Sequence, residues 1–298
     1  MKKFFFLAVF AATMISCNNT DEPIPTPVEE KIPINISTSI TRVTDSAFES
    51  GDKVGIYVVN EPNELVVFGN HVDNMGFTYS TKWTPDEEIY WKDQTTKATF
   101  YCYYPYGTPN SVTAYKFSTK ADQSTLANYK ASEFLWGKTD SVSPTESAVP
   151  ITVNHMFSNA LVVVEPGAGF TAESLAASNV EVKICNIKTD ASINLATGVV
   201  TPEGDAPLTG IIPMKDYDEF RAIVVPQTVA AGQILLTITV DGKPRHYVRD
   251  VATEYLPGKI TTYDLSISKK AETGEYEIEL TGVNITAWEA DNVSHGED

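Results

Sequence analysis

The stretch Lys31-Ile32-Pro33-Ile34-Asn35-Ile36-Ser37-Thr38-Ser39-Ile40 alternates residue by residue. Ile32, Ile34, Ile36 and Ile40 fall on one parity, and Pro33, Asn35, Ser37 and Ser39 on the other. Successive side chains of an extended chain leave opposite faces, so a period of two describes a strand with one apolar face. The same period recurs downstream. Val54, Ile56 and Val58 share a parity while Tyr57 and Val59 occupy the other, which predicts a strand buried on both sides. Phe100, Cys102 and Tyr104 alternate with Tyr101 and Tyr103. Further strand-like runs cover Leu161 to Val164, Val180 to Ile187, Ala222 to Val225, Ile234 to Val240, Tyr263 to Ile267, Tyr276 to Leu280 and Val283 to Trp288. Parity changes at Gly282, which marks a bulge. Turn residues punctuate these runs at Glu61-Pro62-Asn63, Pro105 to Asn110, Thr201 to Pro207, Asp241-Gly242 and Pro257-Gly258. Only Ser124 to Leu135 and Thr171 to Ala177 read as helical, and both are short. The fold class is therefore all-β. Short strands at this spacing predict β-sandwiches, and the length suits two in tandem. The Ser/Thr/Pro stretch Lys138 to Pro150 is the best candidate junction, giving domains over residues 31–148 and 149–298.

The chain has 298 residues, 42% of them hydrophobic, which excludes disorder throughout. Its 39 acidic against 22 basic residues leave a net charge of −17. That argues against a nucleic-acid partner, which needs clustered Lys and Arg, and against attachment to anionic lipid by charge. Three cysteines are too few for a disulfide scaffold.

Residues 1–16 read as an address. Lys2 and Lys3 precede an apolar run from Phe4 to Met14. As a helix that run spans about 16 Å, roughly half of a ~30 Å hydrocarbon core, so it is a signal h-region and not a transmembrane anchor. Met14-Ile15-Ser16-Cys17 resembles the lipobox of bacterial lipoproteins, with cleavage between Ser16 and Cys17 and a lipid carried on the Cys17 thiol. Residues 17–30 then form an acidic, Pro-rich tether with Asp21, Glu22, Pro23, Pro25, Pro27, Glu29 and Glu30. Asp21 and Glu22 resemble an export signal to the surface of some Gram-negative bacteria.

Catalytic motifs are weak. Gly167-Ala168-Gly169-Phe170-Thr171-Ala172 imitates a dinucleotide fingerprint, but Pro166 precedes it, the helix is too short and no further βα units follow. His71, His155, His246 and His295 have no metal-ligand spacing. No nucleophile elbow or Cys–His pairing is legible. Asp86-Glu87-Glu88 and the Asp216, Asp218, Glu219 group read as solvated loops. Cys102 and Cys185 sit in strands of opposite halves, which disfavours a bridge. Tyr101, Tyr103, Tyr106, Trp83, Trp91 and Trp136 could make a sugar-stacking platform or a core. The reading is of a non-enzyme with no cofactor and no metal.

Six segments together resemble the fimbrillin-like family of type V pilus subunits and related surface lipoproteins. They are Thr41-Arg42 followed by Ala47 to Tyr57, Ile89 to Tyr106, Ser132 to Gly137, His155 to Leu161, Leu256 to Ile267, and Ile285 to Glu289. Trp136 and Gly137 depart from the usual Tyr and Ala. The resemblance implies two transthyretin-like β-sandwich domains and assembly by strand exchange. It further implies cleavage between Arg42 and Val43 by an Arg-specific protease, which removes the first strand with Ile32, Ile34, Ile36 and Ile40. Another subunit's strand would then fill the groove, and the stretch with Val283, Ile285 and Ala287 is the candidate donor. Implied partners are other pilus subunits or copies of the chain, the outer membrane through the lipid on Cys17, and a host glycan or protein receptor. The implied location is the cell surface or the pilus, reached as an outer-membrane lipoprotein precursor. The competing reading is a non-polymerising surface lipoprotein that binds glycans through exposed aromatics.

Overall fold

A computed structural model describes residues 31–40 and 48–288. In the first half, alternation becomes β1 (Ile36–Ile40), β2 (Lys53–Asn60), β3 (Val72–Tyr79), β4 (Trp83–Pro85), β5 (Ala98–Tyr104) and β6 (Tyr115–Ser118). The helix α1 (Leu126–Lys130) follows, capped by Thr125, whose hydroxyl accepts from Asn128 N–H at 3.2 Å. Then come β7 (Leu135–Val142) and β8 (Val149–His155). Seven of these strands form one sheet in the order β1-β8-β7-β5-β2-β3-β4. Its middle strands are buried on both faces. Val54, Ile56 and Val58 of β2 and Phe100 and Cys102 of β5 enter a first core, while Tyr57, Val59, Tyr101 and Tyr103 enter a different one.

The second half contains β9 (Ser158–Pro166), α2 (Ala172–Ala176), β10 (Val180–Ile184), β11 (Asp190–Ile193), β12 (Val200–Glu203), β13 (Met214–Asp216) and β14 (Glu219–Val224). It continues with β15 (Gln227–Val229), β16 (Ile234–Val240), β17 (Lys243–Val248), β18 (Thr253–Tyr255), β19 (Lys259–Lys269) and β20 (Tyr276–Ala287). A five-stranded sheet, β13-β14-β9-β19-β20, faces a three-stranded one, β10-β16-β17. The two layers share a core that includes Val162, Leu265, Val182 and Ile238. Asp241 and Gly242 both take positive φ, 46° and 77°, between paired Val240 and Lys243. That is the backbone a two-residue hairpin requires, and Gly242 supplies it without strain. The β19–β20 ladder slips by one residue at Thr281, beside Gly282, where the sequence places a bulge.

The halves are not separate beads. β6 pairs with β11, which in turn pairs with β12, so one sheet draws strands from both. Between the halves lies a core that includes Tyr57, Tyr103, Phe134, Phe157, Ile193, Ile223 and Trp288. Fully buried Gln123 braces it: its Nε2 donates to Ile223 O at 2.8 Å and its Oε1 accepts from Ile223 N–H at 2.8 Å. The side-chain amide thus stands in for a neighbouring strand and satisfies backbone that would otherwise be orphaned. The stretch Lys138–Pro150, which the sequence suggests as a junction, is the β7–β8 hairpin inside the first sheet. β6 aside, the strands of the first sheet end with β8, and β9 opens the five-stranded one. Serine, threonine and proline suit a hairpin end and a linker equally, so composition alone cannot separate them.

Candidate functional site

The segment 31–40 does two jobs at once. Over β1 it pairs in parallel with β8, Ile36 opposite Val149 through Ile40 opposite Val153. Just before β1 it bonds to the chain that follows the opposite edge strand: Ile34 N–H donates to Ile89 O at 2.8 Å, and Trp91 N–H donates to Ile32 O at 2.9 Å. Val149 N–H donates to Asn35 O at 2.8 Å between the two. Trp83 of β4 donates its indole N–H to the Thr38 hydroxyl of β1 at 2.9 Å. The seven-stranded sheet therefore curls until its two edges meet, and this segment is the clasp across the seam.

Its apolar face is uneven. Ile34 and Ile36 are buried in the first core, and Ile32 and Ile40 are half-buried against it. Burying two isoleucines contributes about 3–6 kcal/mol gross. Beneath them lie Trp91, Val149, Ile151 and Val153. Residues Val149 to Thr152 pair with β1 alone among the described strands, because the β7 ladder reaches only Val153 to His155. Without β1 that stretch would present an unpaired edge over an apolar floor. Close approach of β7 to β8 depends on Gly137, where a Cβ would overlap the Thr152 carbonyl.

Val283, Ile285 and Ala287 lie in β20, the edge strand of the five-stranded sheet, antiparallel to β19 and opposite Tyr263, Thr261 and Lys259. Val283 packs on the second core, whereas Ile285 is exposed. Trp288, just past the strand, is buried. Its backbone N–H donates to Gly258 O at 3.0 Å, and its indole stacks on the His155 ring with centroids 4.1 Å apart. His155 Nδ1 in turn lies 3.1 Å from Glu133 Oε2. Ser16, Cys17, Arg42 and Val43 lie outside the described residues.

The remaining chemistry dissolves into structure. Trp83, Trp91, Tyr101 and Tyr103 are buried, and Trp136 is half-buried with its indole N–H donating to Leu195 O at 2.8 Å. The sugar-stacking platform offered by those aromatics is thus core, because strands carry aromatics inward at this spacing. Burial pushes the Tyr57 phenol up to about 12 and raises those of Tyr103 and Tyr104 further, so these groups stay neutral. Burial likewise raises the Cys102 thiol, which is free, as is Cys185. Gly167 to Thr171 form a turn into five-residue α2, with Gly167 N–H donating to Ile267 O at 2.8 Å. Among the described residues no group of three or more His, Cys, Asp or Glu side chains could hold a metal. The double role of residues 31–40 escaped the sequence, since alternation reports a face and never a partner.

Comparison with known proteins agrees with this architecture. A candidate cell adhesion protein from Bacteroides uniformis superimposes with a TM-score of 0.68, at 22% identity over 88% of this chain and 100% of its own. A second, from Bacteroides ovatus, gives a TM-score of 0.62 at 17% identity over 89% and 100%. At these identities the likeness concerns the fold. A relative from Bacteroides uniformis, described as a candidate fimbrium subunit and named Fim1C, is 25% identical over 90% of this chain and 92% of its own length. The family model for fimbrillin-like proteins, a structural family and not one of enzymes, matches residues 41–288, and the chain belongs to that family.

Proposed function

We propose that this chain is a structural, adhesive subunit of a cell-surface pilus, exported as a lipoprotein and assembled by strand exchange after loss of its first strand. The observation that carries the reading is the clasp: residues 31–40 close the seam of the first core, through two buried isoleucines and one parallel ladder. Such a segment can leave without cutting through the middle of a sheet, and its empty place would be a template for another strand. Membership of the fimbrillin-like family, and a relative described as a candidate fimbrium subunit, support the same conclusion. Arg42 would be the cleavage point and Cys17 the lipid attachment. The tandem transthyretin-like partition fits this reading, with sheet membership favouring a boundary between β8 and β9. Donation by Val283, Ile285 and Ala287 would require β20 to part from β19, along which it is now paired throughout.

The test is treatment of the mature protein with an Arg-specific protease. Cleavage before Val43 followed by SDS-resistant ladders is the expected result, and Arg42→Ala should abolish both. A cleaved chain that has shed residues 31–42 yet stays monomeric would refute the stalk-subunit role. For the anchor, Cys17→Ala should release the protein from membranes; unchanged partitioning would count against lipidation.

A further inference from the structure

The loop between β2 and β3 is apolar where a loop is ordinarily polar. Leu65 is buried in the core between the halves and Val67 packs against that core, while Val66 and Phe68 face outward, Phe68 at 80% exposure. The outward pair is held still. Asn70 Nδ2 donates to Val66 O at 2.7 Å, and Asn70 Oδ1 accepts from Val66 N–H at 3.1 Å. Asp73 accepts from Gly69 N–H at 2.8 Å and from Asn70 N–H at 2.9 Å. An exposed aromatic side chain thus stands on a backbone that is braced by Asn70 and Asp73 and anchored inward by Leu65 and Val67.

Beside the loop opens a cleft of about 610 Å³, lined by Val66, Gly69 and Asn70 of the loop itself and within the ~300–1,000 Å³ range of small-ligand sites. Its polar wall carries Asn60, Asn63, Glu64, His71 and Lys92, and Phe68 stands in sequence between two lining residues, Val66 and Gly69. His71 lies 2.7 Å through Nε2 from the Tyr90 carbonyl, which can only accept. Nε2 therefore carries a hydrogen, which leaves Nδ1 of the neutral ring as an acceptor.

We propose that this cleft binds a neutral saccharide, with Phe68 and Val66 against the apolar face of a sugar ring and the amides, Glu64, Lys92 and His71 on its hydroxyls. Amides and hydroxyls each both donate and accept, which matches a mixed wall of this kind. A phosphate or sulfate ligand would call for clustered cations, and here one ammonium, Lys92, shares the cleft with a carboxylate. The site does not depend on strand exchange and would serve a monomer and a fibre equally.

The experiment is retention of the mature protein on an array of immobilised neutral oligosaccharides, with sialylated and sulfated ones alongside. Neutral glycans should be retained, and Phe68→Ala and Asn63→Ala should each weaken binding by at least about tenfold with unchanged melting temperature. Tyr217→Ala, which removes another exposed ring on the β13–β14 turn, should leave binding intact. No retained neutral glycan, retention of charged glycans only, or retention that survives Phe68→Ala and Asn63→Ala would overturn the proposal.

Discussion

Ile34→Ala probes the clasp most directly. Ile34 is buried in the first core, and its N–H donates to Ile89 O, so the substitution removes side-chain packing and leaves the backbone bond in place. Truncating a buried isoleucine to alanine costs about 2–5 kcal/mol, depending on how far the cavity collapses. A chain of this kind has about 5–15 kcal/mol of stability in total, so one substitution should leave it folded. If residues 31–40 are seated as a unit at the seam, the cost falls mainly on detachment of that unit and not on global unfolding. The amides that report it are Ile34, Trp91 and Val149, which donate to Ile89 O, Ile32 O and Asn35 O. Native-state hydrogen exchange at these three should accelerate by roughly 30- to 4,000-fold, the factor that 2–5 kcal/mol commands. Amides of β9, β14 and β19 should keep far more of their protection. Equal acceleration at all of these positions, or none at the seam, would refute the idea that the segment opens on its own.

Gln123→Leu removes both bonds to the Ile223 backbone and should destabilise by about 2–6 kcal/mol in urea unfolding, since each orphaned group costs roughly 1–3 kcal/mol. Because that backbone lies in the core between the halves, both should lose stability in one transition; a loss below about 1 kcal/mol would contradict the brace. Gly137→Ala should cost about 1–3 kcal/mol by driving a methyl into the Thr152 carbonyl, and a neutral result would show that β7 and β8 can separate freely. Alkaline titration should show a further effect. The folded phenol of Tyr57 is pushed up to about 12, chiefly by burial, with Tyr103, Tyr104 and Tyr263 also raised, whereas unfolded tyrosines ionise near ~10. Above ~10 the unfolded chain holds fewer protons than the folded one, so stability complete below that pH should decline as pH climbs toward 12. Phenolate absorbance rising fully near ~10 while the fold persists would contradict this.

The sequence was informative about faces and poor about neighbours. The burial of β2 on both sides was readable from Val54, Ile56 and Val58 against Tyr57 and Val59, and the bulge at Gly282 from a change of parity. Helix α1 proved shorter than Ser124 to Leu135 because Ser132 and Phe134 turn inward to cap and core roles. Nothing in Tyr115 to Ser118 says that its partner is β11, seventy residues away, since β pairing leaves no local trace. The aromatic run around Tyr101 is equally consistent with a platform or a core until its neighbours are known. Nothing in the sequence singles out Gln123, and only the approach of Ile223 makes it a structural residue. Leu65 to Phe68 are apolar at every position, so the sequence gives no sign that Leu65 turns inward while Phe68 stands in water.

The parallel clasp also has a mechanical meaning. Force applied to the chain at Lys31, along the axis of β1, would load the bonds to β8 and to Ile89–Trp91 side by side. Bonds loaded in shear share the tension and must fail together, whereas bonds peeled from one end fail in turn. While it still carries that segment, a chain held by its amino-terminal side would therefore resist traction best along the strand and yield most easily to a sideways pull.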